Sequence, residues 1–391
     1  MTYDLRLTSK KQFSPRLNRS KSLFIRYLIH DFLRHNIIHP VDSNEPDDIK
    51  VVQSALGSIK YAHLNPGVTI INVCDCGTAY RFLLSVLATT HGEWLLTGSS
   101  RLLQRPIKPL VDALVAIGAE IQQTPKGIFI RGKCLSAEEV AIDTTLSGQF
   151  ASSIMLIFSR INLKRLSMIP NPPPSLPYIH MTHKIFNVLE SIPIDVESIE
   201  NDWSGAAFWY AFVGLKEGSS AFLNNLKLDS LQGDVVVAEW FSKLGVTTEE
   251  KENGLLISNS PSDHSELFSF DLTNHPDLAP ILSFFALLKQ INIQLKGINN
   301  LNYKESNRLE IIKNTLLPYC KIDSKENEIT IYPFSKPENQ QLSFDAHNDH
   351  RFVMAFLLFA CFNEVTISDI NSVNKSYPNF LGDIEEIKKE K

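Results

Sequence analysis

The chain has 391 residues, 43% of them apolar and 21% charged, with a formal net charge of −5. That length favours two domains, and the mild acidity excludes general attraction to nucleic acid or to an anionic membrane surface. No run of about 18 apolar residues predicts a membrane span, and no apolar segment follows Met1, so a cytoplasmic protein is expected. Five scattered cysteines argue against a disulfide framework. Cys74-Asp75-Cys76 could supply half of a metal site, but no CxxC or His-rich partner follows it in sequence, and no metal is expected.

In chain order, Tyr3–Leu7 alternates like a short strand, and Ser20-Lys21-Ser22 opens an amphipathic helix. Comparable polar starts precede apolar helices at Asp75–Thr78, Ser147–Gln149, Asn201–Ser204, Asn274–Asp277 and Asn348–His350. Helices apolar nearly all round are buried, so the chain should form two cores built around them. A second unit recurs: strand, polar loop, helix, at 93–121, 221–246, 291–322 and 365–387. Its polar residues gather between strand end and helix start, where a rigid scaffold commonly presents functional side chains. Asn171–Pro177, with three consecutive prolines, and the acidic Asp195–Trp203 read as linkers, and the domain boundary is placed at the second.

The stretch Asn300–Arg308 stands out. Lys304, Glu305 and Arg308 fall where a strand gives way to a helix, and Lys304 and Arg308 would share a helical face. A helix N-terminus adds partial positive charge, so the place suits an anion. Taken singly, Glu305 reads as an ion-pair partner for Lys304 or Arg308, Asp277 as a first-turn helix residue, His350 as structural, and Arg81 as a core-edge arginine pairing an acid. Taken together the motifs carry more. Ser20-Lys21-Ser22 with Arg26, Gly77-Thr78-Ala79 with Arg81, and Arg105-Pro106-Ile107 occur in that order. Lys304-Glu305-Ser306 with Arg308, Asn348-Asp349-His350-Arg351 and Lys375-Ser376-Tyr377-Pro378 follow. This series resembles the EPSP synthase (3-phosphoshikimate 1-carboxyvinyltransferase) family of enolpyruvyl transferases, from about residue 17 to the end.

The resemblance implies an α/β fold: a two-domain inside-out α/β barrel, each domain three βαβαββ repeats around buried helices, with the active site in the interdomain cleft. The domains would be 15–200 and 1–14 with 201–391. It implies transfer of the enolpyruvyl group of phosphoenolpyruvate to the 5-hydroxyl of shikimate 3-phosphate, with release of phosphate, on the shikimate pathway of aromatic amino acid biosynthesis. It implies a monomer with no cofactor. By the same resemblance, Lys21, Gly77, Arg105, Gln149, Arg308, Arg351 and Lys375 hold phosphoenolpyruvate. Lys21, Ser22, Arg26, Ser147, Gln149, Ser175, Asp277, Asn300 and Lys304 hold shikimate 3-phosphate, with Tyr178 lining its pocket. Guanidinium forks suit carboxylate and phosphate oxygens. The reaction must move a proton off the attacking hydroxyl and a proton onto and off a methylene carbon. Asp277 is assigned to the hydroxyl, Glu305 to the methylene, and Lys21 to charge stabilisation or acid catalysis.

Some positions depart from the family pattern. Asn18-Arg19 replaces the usual Pro-Gly, Asp75 a usual asparagine, Gly148 a serine and Asn307 an aspartate. A relative that binds anions without catalysis therefore stays open as a second reading. A UDP-N-acetylglucosamine enolpyruvyl transferase is a third, although no cysteine lies in Gly98–Pro109, where that enzyme usually carries a reactive one.

Overall fold

The computed structural model describes residues 2–6, 12–64, 67–188, 193–261 and 267–388. The end of the strand expected over Tyr3–Leu7 and the last residues of the Glu385–Lys391 tail lie outside these. Two compact units are present: Lys21–Ile199, and Met1–Ser20 with Glu200–Lys391.

The first switch point therefore follows Ser20, not residue 14. Residues 15–20 stay with the C-terminal unit for identifiable reasons. The Arg16 guanidinium donates to Asp383 at 2.9 Å, Asp202 N–H donates to Asn18 O at 2.9 Å, and Ser20 N–H donates to Glu200 O at 2.8 Å. The acidic stretch 195–203 does contain the second switch, at Ile199/Glu200. Asn171–Pro177 is no linker. It lies inside the Lys21–Ile199 unit, with Pro173 and Pro174 buried, and leads directly into the helix Leu176–Val188.

The repeat is visible as sheet topology. In the Lys21–Ile199 unit, Val68–Asn72 pairs in parallel with Gly92–Thr97, which pairs antiparallel with Gly127–Gly132, and that strand with Glu120–Thr124. In the other unit the same spatial order recurs twice. Phe268–Asp271, Ile293–Lys296, Glu328–Pro333 and Cys320–Lys325 form one sheet. Gln12–Phe13, Ser220–Asn224, Gly254–Asn259 and Val246–Lys251 form the other. In the latter the first strand comes from the N-terminal segment, so the N-terminus completes a repeat begun some 200 residues later in sequence. Thr2–Tyr3 likewise edges the sheet of Gln341–Asp345 and Glu364–Ser368. Glu139–Asp143 and Arg165–Ile169 make a parallel pair.

Parallel neighbours require crossover helices, and these are the apolar ones. Gly77–Ala88, Gln149–Leu156, Ala279–Lys289 and His350–Leu357 follow the first strands of their repeats. Trp203–Leu215 is buried from Trp203 to Gly214 and has no polar face, as expected of a helix surrounded by protein. Trp203, Phe208, Phe284 and Phe356 belong to one continuous core. No helix among the described residues is long and apolar enough to cross a membrane.

Candidate active site

Because each crossover helix starts at a strand end, its N-terminus and the preceding loop place polar side chains at the rim of each core. In the C-terminal unit three such loops converge on one carboxylate. Asp277 lies in the short 3-10 turn Pro276–Leu278, just before Ala279–Lys289. Its Oδ1 accepts from Arg308 Nη1 at 2.7 Å, its Oδ2 accepts from Arg351 Nη2 at 3.2 Å, and Lys304 Nζ lies 3.5 Å from Oδ1. The Asp277 side chain remains 27% exposed, so it is reachable by solute. Burial pushes its carboxyl up, but Lys304, Arg308 and Arg351 outweigh that and hold it well below the usual carboxylate range.

Arg308 is the hub. It is fully buried and spends its fork on three carboxylates: Nε on Asp349 Oδ2 at 2.8 Å, Nη2 on Glu305 Oε2 at 2.8 Å, and Nη1 on Asp277. Ser306 Oγ also donates to Asp349, at 2.9 Å. Asp349 has a second duty, capping the helix His350–Leu357 through Arg351 N–H at 3.0 Å. The buried Arg351 faces Asp277 and, less directly, Asp202 and Asp234; burial lowers its pKa, but these acids raise it overall. Its Nε has no hydrogen-bond partner among the described residues. Lys375, at the end of the 3-10 segment Ile370–Lys375, donates to Asn348 O at 3.3 Å beside this group. Asn300 sits partly exposed in the 3-10 helix Asn299–Tyr303.

One expectation fails here. Lys304 and Arg308 do not share a helical face: the helix begins at Arg308, after an Asn307 cap, and Lys304 is extended. The cations are compensated by nearby carboxylates. Asp277, Glu305 and Asp349 match Lys304, Arg308 and Arg351 in charge, so the group is near neutral before any anion arrives.

The Lys21–Ile199 unit carries a second group. Lys21 opens the helix Lys21–His35 and pairs with Asp48 at 3.0 Å. Asp48 and Lys21 both act on Cys76, whose thiol is pushed well up by burial. Cys76 Sγ caps the helix Gly77–Ala88 by accepting from Ala79 N–H at 3.3 Å, so it points into the helix rather than toward a metal shared with the exposed Cys74. The Arg105 guanidinium lies over Gly77. A Cβ there would collide with Arg105 Nη1 and sit 2.9 Å from its Cζ. Gly77 thus lets a guanidinium approach a helix N-terminus, and together they present donors to an anion.

Gln149, at the start of Gln149–Leu156, accepts from Arg81 Nη1 at 2.8 Å and donates to Thr78 Oγ1 at 3.1 Å. Arg81, expected to pair an acid, fixes the Gln149 carboxamide and also donates to Pro106 O at 3.4 Å. Ser147 Oγ accepts from Gln149 N–H at 3.3 Å. Gly148, which stands for a serine in the family pattern, is enforced by packing: a Cβ would lie 2.6 Å from Pro174 O. Ser175 has φ 58° at that close approach. Arg26 is buried and donates to Thr182 Oγ1 at 2.7 Å, Ser22 O at 2.7 Å and Tyr178 O at 3.3 Å, and burial brings its pKa down to about 10. Those bonds tie Ser22 and Tyr178 into one place.

Asp48 and Asp349 escaped the sequence reading as site residues. Asp349 lay within a quoted motif, and the signal that could have found it is the need of a buried Arg308 for a counter-ion.

Two solved structures illustrate the fold that this chain shares. The chain superposes on EPSP synthase from Acinetobacter baumannii with a TM-score of 0.69 at 17% identity, covering 99% of this chain and 98% of that one. For the enolpyruvyl transferase NikO from Streptomyces tendae the score is 0.67 at 11% identity, covering 99% and 97%. In sequence it is 29% identical to the 3-phosphoshikimate 1-carboxyvinyltransferase of Bacteroides fragilis, over 98% of this chain and 97% of the relative. It is also 29% identical to that of Methanospirillum hungatei, over 83% and 80%. The family model for EPSP synthase (3-phosphoshikimate 1-carboxyvinyltransferase) matches residues 45–198 and 190–384. The chain belongs to the EPSP synthase family.

Proposed function

We propose that this chain transfers the enolpyruvyl group of phosphoenolpyruvate to the 5-hydroxyl of shikimate 3-phosphate, releasing phosphate, and that both groups of residues described above engage the substrates. It is a transferase of the shikimate pathway. The observation that carries the residue assignment is Asp277, a solvent-reachable carboxylate held by Lys304, Arg308 and Arg351.

In the absence of substrate Asp277 is too stabilised as an anion to be a strong base, because a base works best with a pKa near the operating pH. The phosphate and carboxylate of phosphoenolpyruvate compete with Asp277 for the same guanidinium donors. As Arg351 and Arg308 turn to the substrate, Asp277 loses compensation and its basicity rises. It then accepts the proton of the attacking 5-hydroxyl. Glu305, fixed through Arg308 Nη2, exchanges the methylene proton. Arg308 keeps Asp349 as its buried anchor throughout, so its fork stays oriented.

On the other group, Lys21, Gly77, Arg105 and Gln149 take phosphoenolpyruvate oxygens, with Lys21 leaving Asp48 for the departing phosphate. Ser22, Arg26, Ser147, Ser175 and Tyr178 contact or shape the shikimate 3-phosphate site, joined by Asn300 and Lys304. The enzyme is proposed to act as a cytoplasmic monomer. The test is stoichiometric phosphate release from the two substrates, measured against the same assay with UDP-N-acetylglucosamine as acceptor. Binding without release would mark an inactive relative.

A further inference from the structure

The turn that carries Asp277 has a support of its own. His275 precedes the 3-10 turn Pro276–Leu278; its N–H donates to Leu272 O at 3.0 Å, and its C=O accepts from Leu278 N–H at 3.1 Å. Its imidazole stands edge-on to the Trp240 ring, with centroids 5.4 Å apart and an interplanar angle of 83°. His275 Nδ1 lies 3.5 Å from Oδ1 of Asp234, a buried carboxylate in the 3-10 turn Gly233–Val235. The other oxygen, Asp234 Oδ2, accepts from Ser204 Oγ in the first turn of Trp203–Leu215. His275 Nδ1 and Asp234 Oδ1 are both buried, and neither has a hydrogen-bond partner among the described residues.

Buried polar atoms are nearly always satisfied, and these two are complementary: the carboxylate can only accept, and a protonated ring nitrogen donates. Their separation is about 0.5 Å too long for a hydrogen bond. Hydrogen bonds that serve catalysis are often long without substrate and tighten in its presence. The charges nearby supply a reason for tightening. Asp234 helps to balance Arg351, whose Nη2 donates to Asp277 at 3.2 Å. When an anionic substrate draws Arg351 away, Asp234 loses part of that cation's field, and His275 is the donor facing it. Ser204 holds Asp234 in place, so His275 is the partner that moves. Pro276, with its fixed φ, passes that movement to Asp277.

We infer that His275 is a positioning residue for the transfer reaction: hydrogen-bonded to Asp234 when substrate is bound, it sets the Pro276–Leu278 turn so that the Asp277 carboxylate meets the attacking hydroxyl. This rests on the reading of Asp277 as the base. His275 acts through Asp277 and exchanges no proton with the substrates.

The test is steady-state phosphate release by two variants. His275→Phe keeps a ring against Trp240 but has no donor, and His275→Asn carries a carboxamide N–H that can stand where Nδ1 does. In His275→Phe kcat should fall about 10- to 100-fold, the cost of a base misplaced by up to about 1 Å. KM for phosphoenolpyruvate should stay at the parent's value, because the interaction serves the transition state alone. His275→Asn should recover most of the lost kcat. In an Asp234→Asn background His275→Phe should cost far less, since the tie is already broken. Parental kcat in His275→Phe, equal losses in the two His275 variants, or the same loss in both backgrounds would overturn the inference. A second measurement needs no turnover. In the proton–nitrogen correlation spectrum of the imidazoles, with phosphoenolpyruvate saturating, the parent should show an Nδ1–H signal that is absent from His275→Asn and that shifts or vanishes in Asp234→Asn. A spectrum indifferent to Asp234→Asn overturns the inference whether or not phosphate is released. A responsive spectrum without phosphate release would fault the assignment of the reaction instead.

Discussion

Asp277→Asn separates the chemistry of the proposed base from its place in the ion-pair group. The substitution keeps the shape and removes the charge. Losing acid/base help costs roughly 100- to 10,000-fold in turnover, or about 2.7–5.5 kcal/mol of transition-state stabilisation. Stability changes less. The carboxamide oxygen can still accept from one guanidinium, so one charge-assisted bond of about 1.5–3 kcal/mol is lost. Partial exposure of Asp277 reduces this to about 1–2 kcal/mol. For a chain with units of this size that is a fall in Tm of about 2–8 °C. The affinity for phosphoenolpyruvate should hold or improve, because Arg308 and Arg351 no longer have to exchange one anion for another. Steady-state phosphate release with both substrates varied, together with a thermal melt, gives all three quantities. A variant with turnover within tenfold of the parent refutes the reasoning. So does one whose KM for phosphoenolpyruvate rises tenfold while kcat is kept.

Three further outcomes follow from particular contacts. Gly77→Ala forces the Arg105 guanidinium off the helix N-terminus, and KM for phosphoenolpyruvate should rise about tenfold, the equivalent of one lost ionic hydrogen bond, with kcat less affected. An unchanged KM would place Arg105 elsewhere in the reaction. Gly148→Ser restores the serine of the family pattern yet should destabilise by about 1–3 kcal/mol, because its Cβ meets Pro174 O; a denaturant midpoint equal to the parent's contradicts this. Asp277, its pKa lowered on folding, contributes stability that is present above its unfolded pKa of about 3.9 and lost as pH falls through the folded value. Melts below about pH 4 should therefore converge for the parent and Asp277→Asn, and a constant gap down to pH 2 would argue against it.

The repeats and buried helices could be read from sequence because each depends on local pattern: a polar cap, then an unbroken apolar run, as in Asp202 before Trp203–Leu215. What pattern could not supply was partnership across distance. Arg308 finds Asp349 41 residues further on and Asp277 31 residues back, and no spacing rule links them. The same holds for Lys21 with Asp48. Gly148 read as a missing hydroxyl, whereas its cause is the backbone at Pro174, brought close only by folding. The Lys304–Arg308 stretch misled because capping by Asn307 delays the helix by a turn. Residues 15–20 were placed in the wrong unit because an Arg16–Asp383 pair cannot be seen until both ends of the chain meet.

The most direct measurement is phosphate release by the purified chain supplied with phosphoenolpyruvate and shikimate 3-phosphate, followed by mass analysis of the product. The account predicts one phosphate for each enolpyruvyl ether formed, and no release when UDP-N-acetylglucosamine replaces shikimate 3-phosphate. Absence of release at saturating levels of both substrates, with the protein folded, would contradict it.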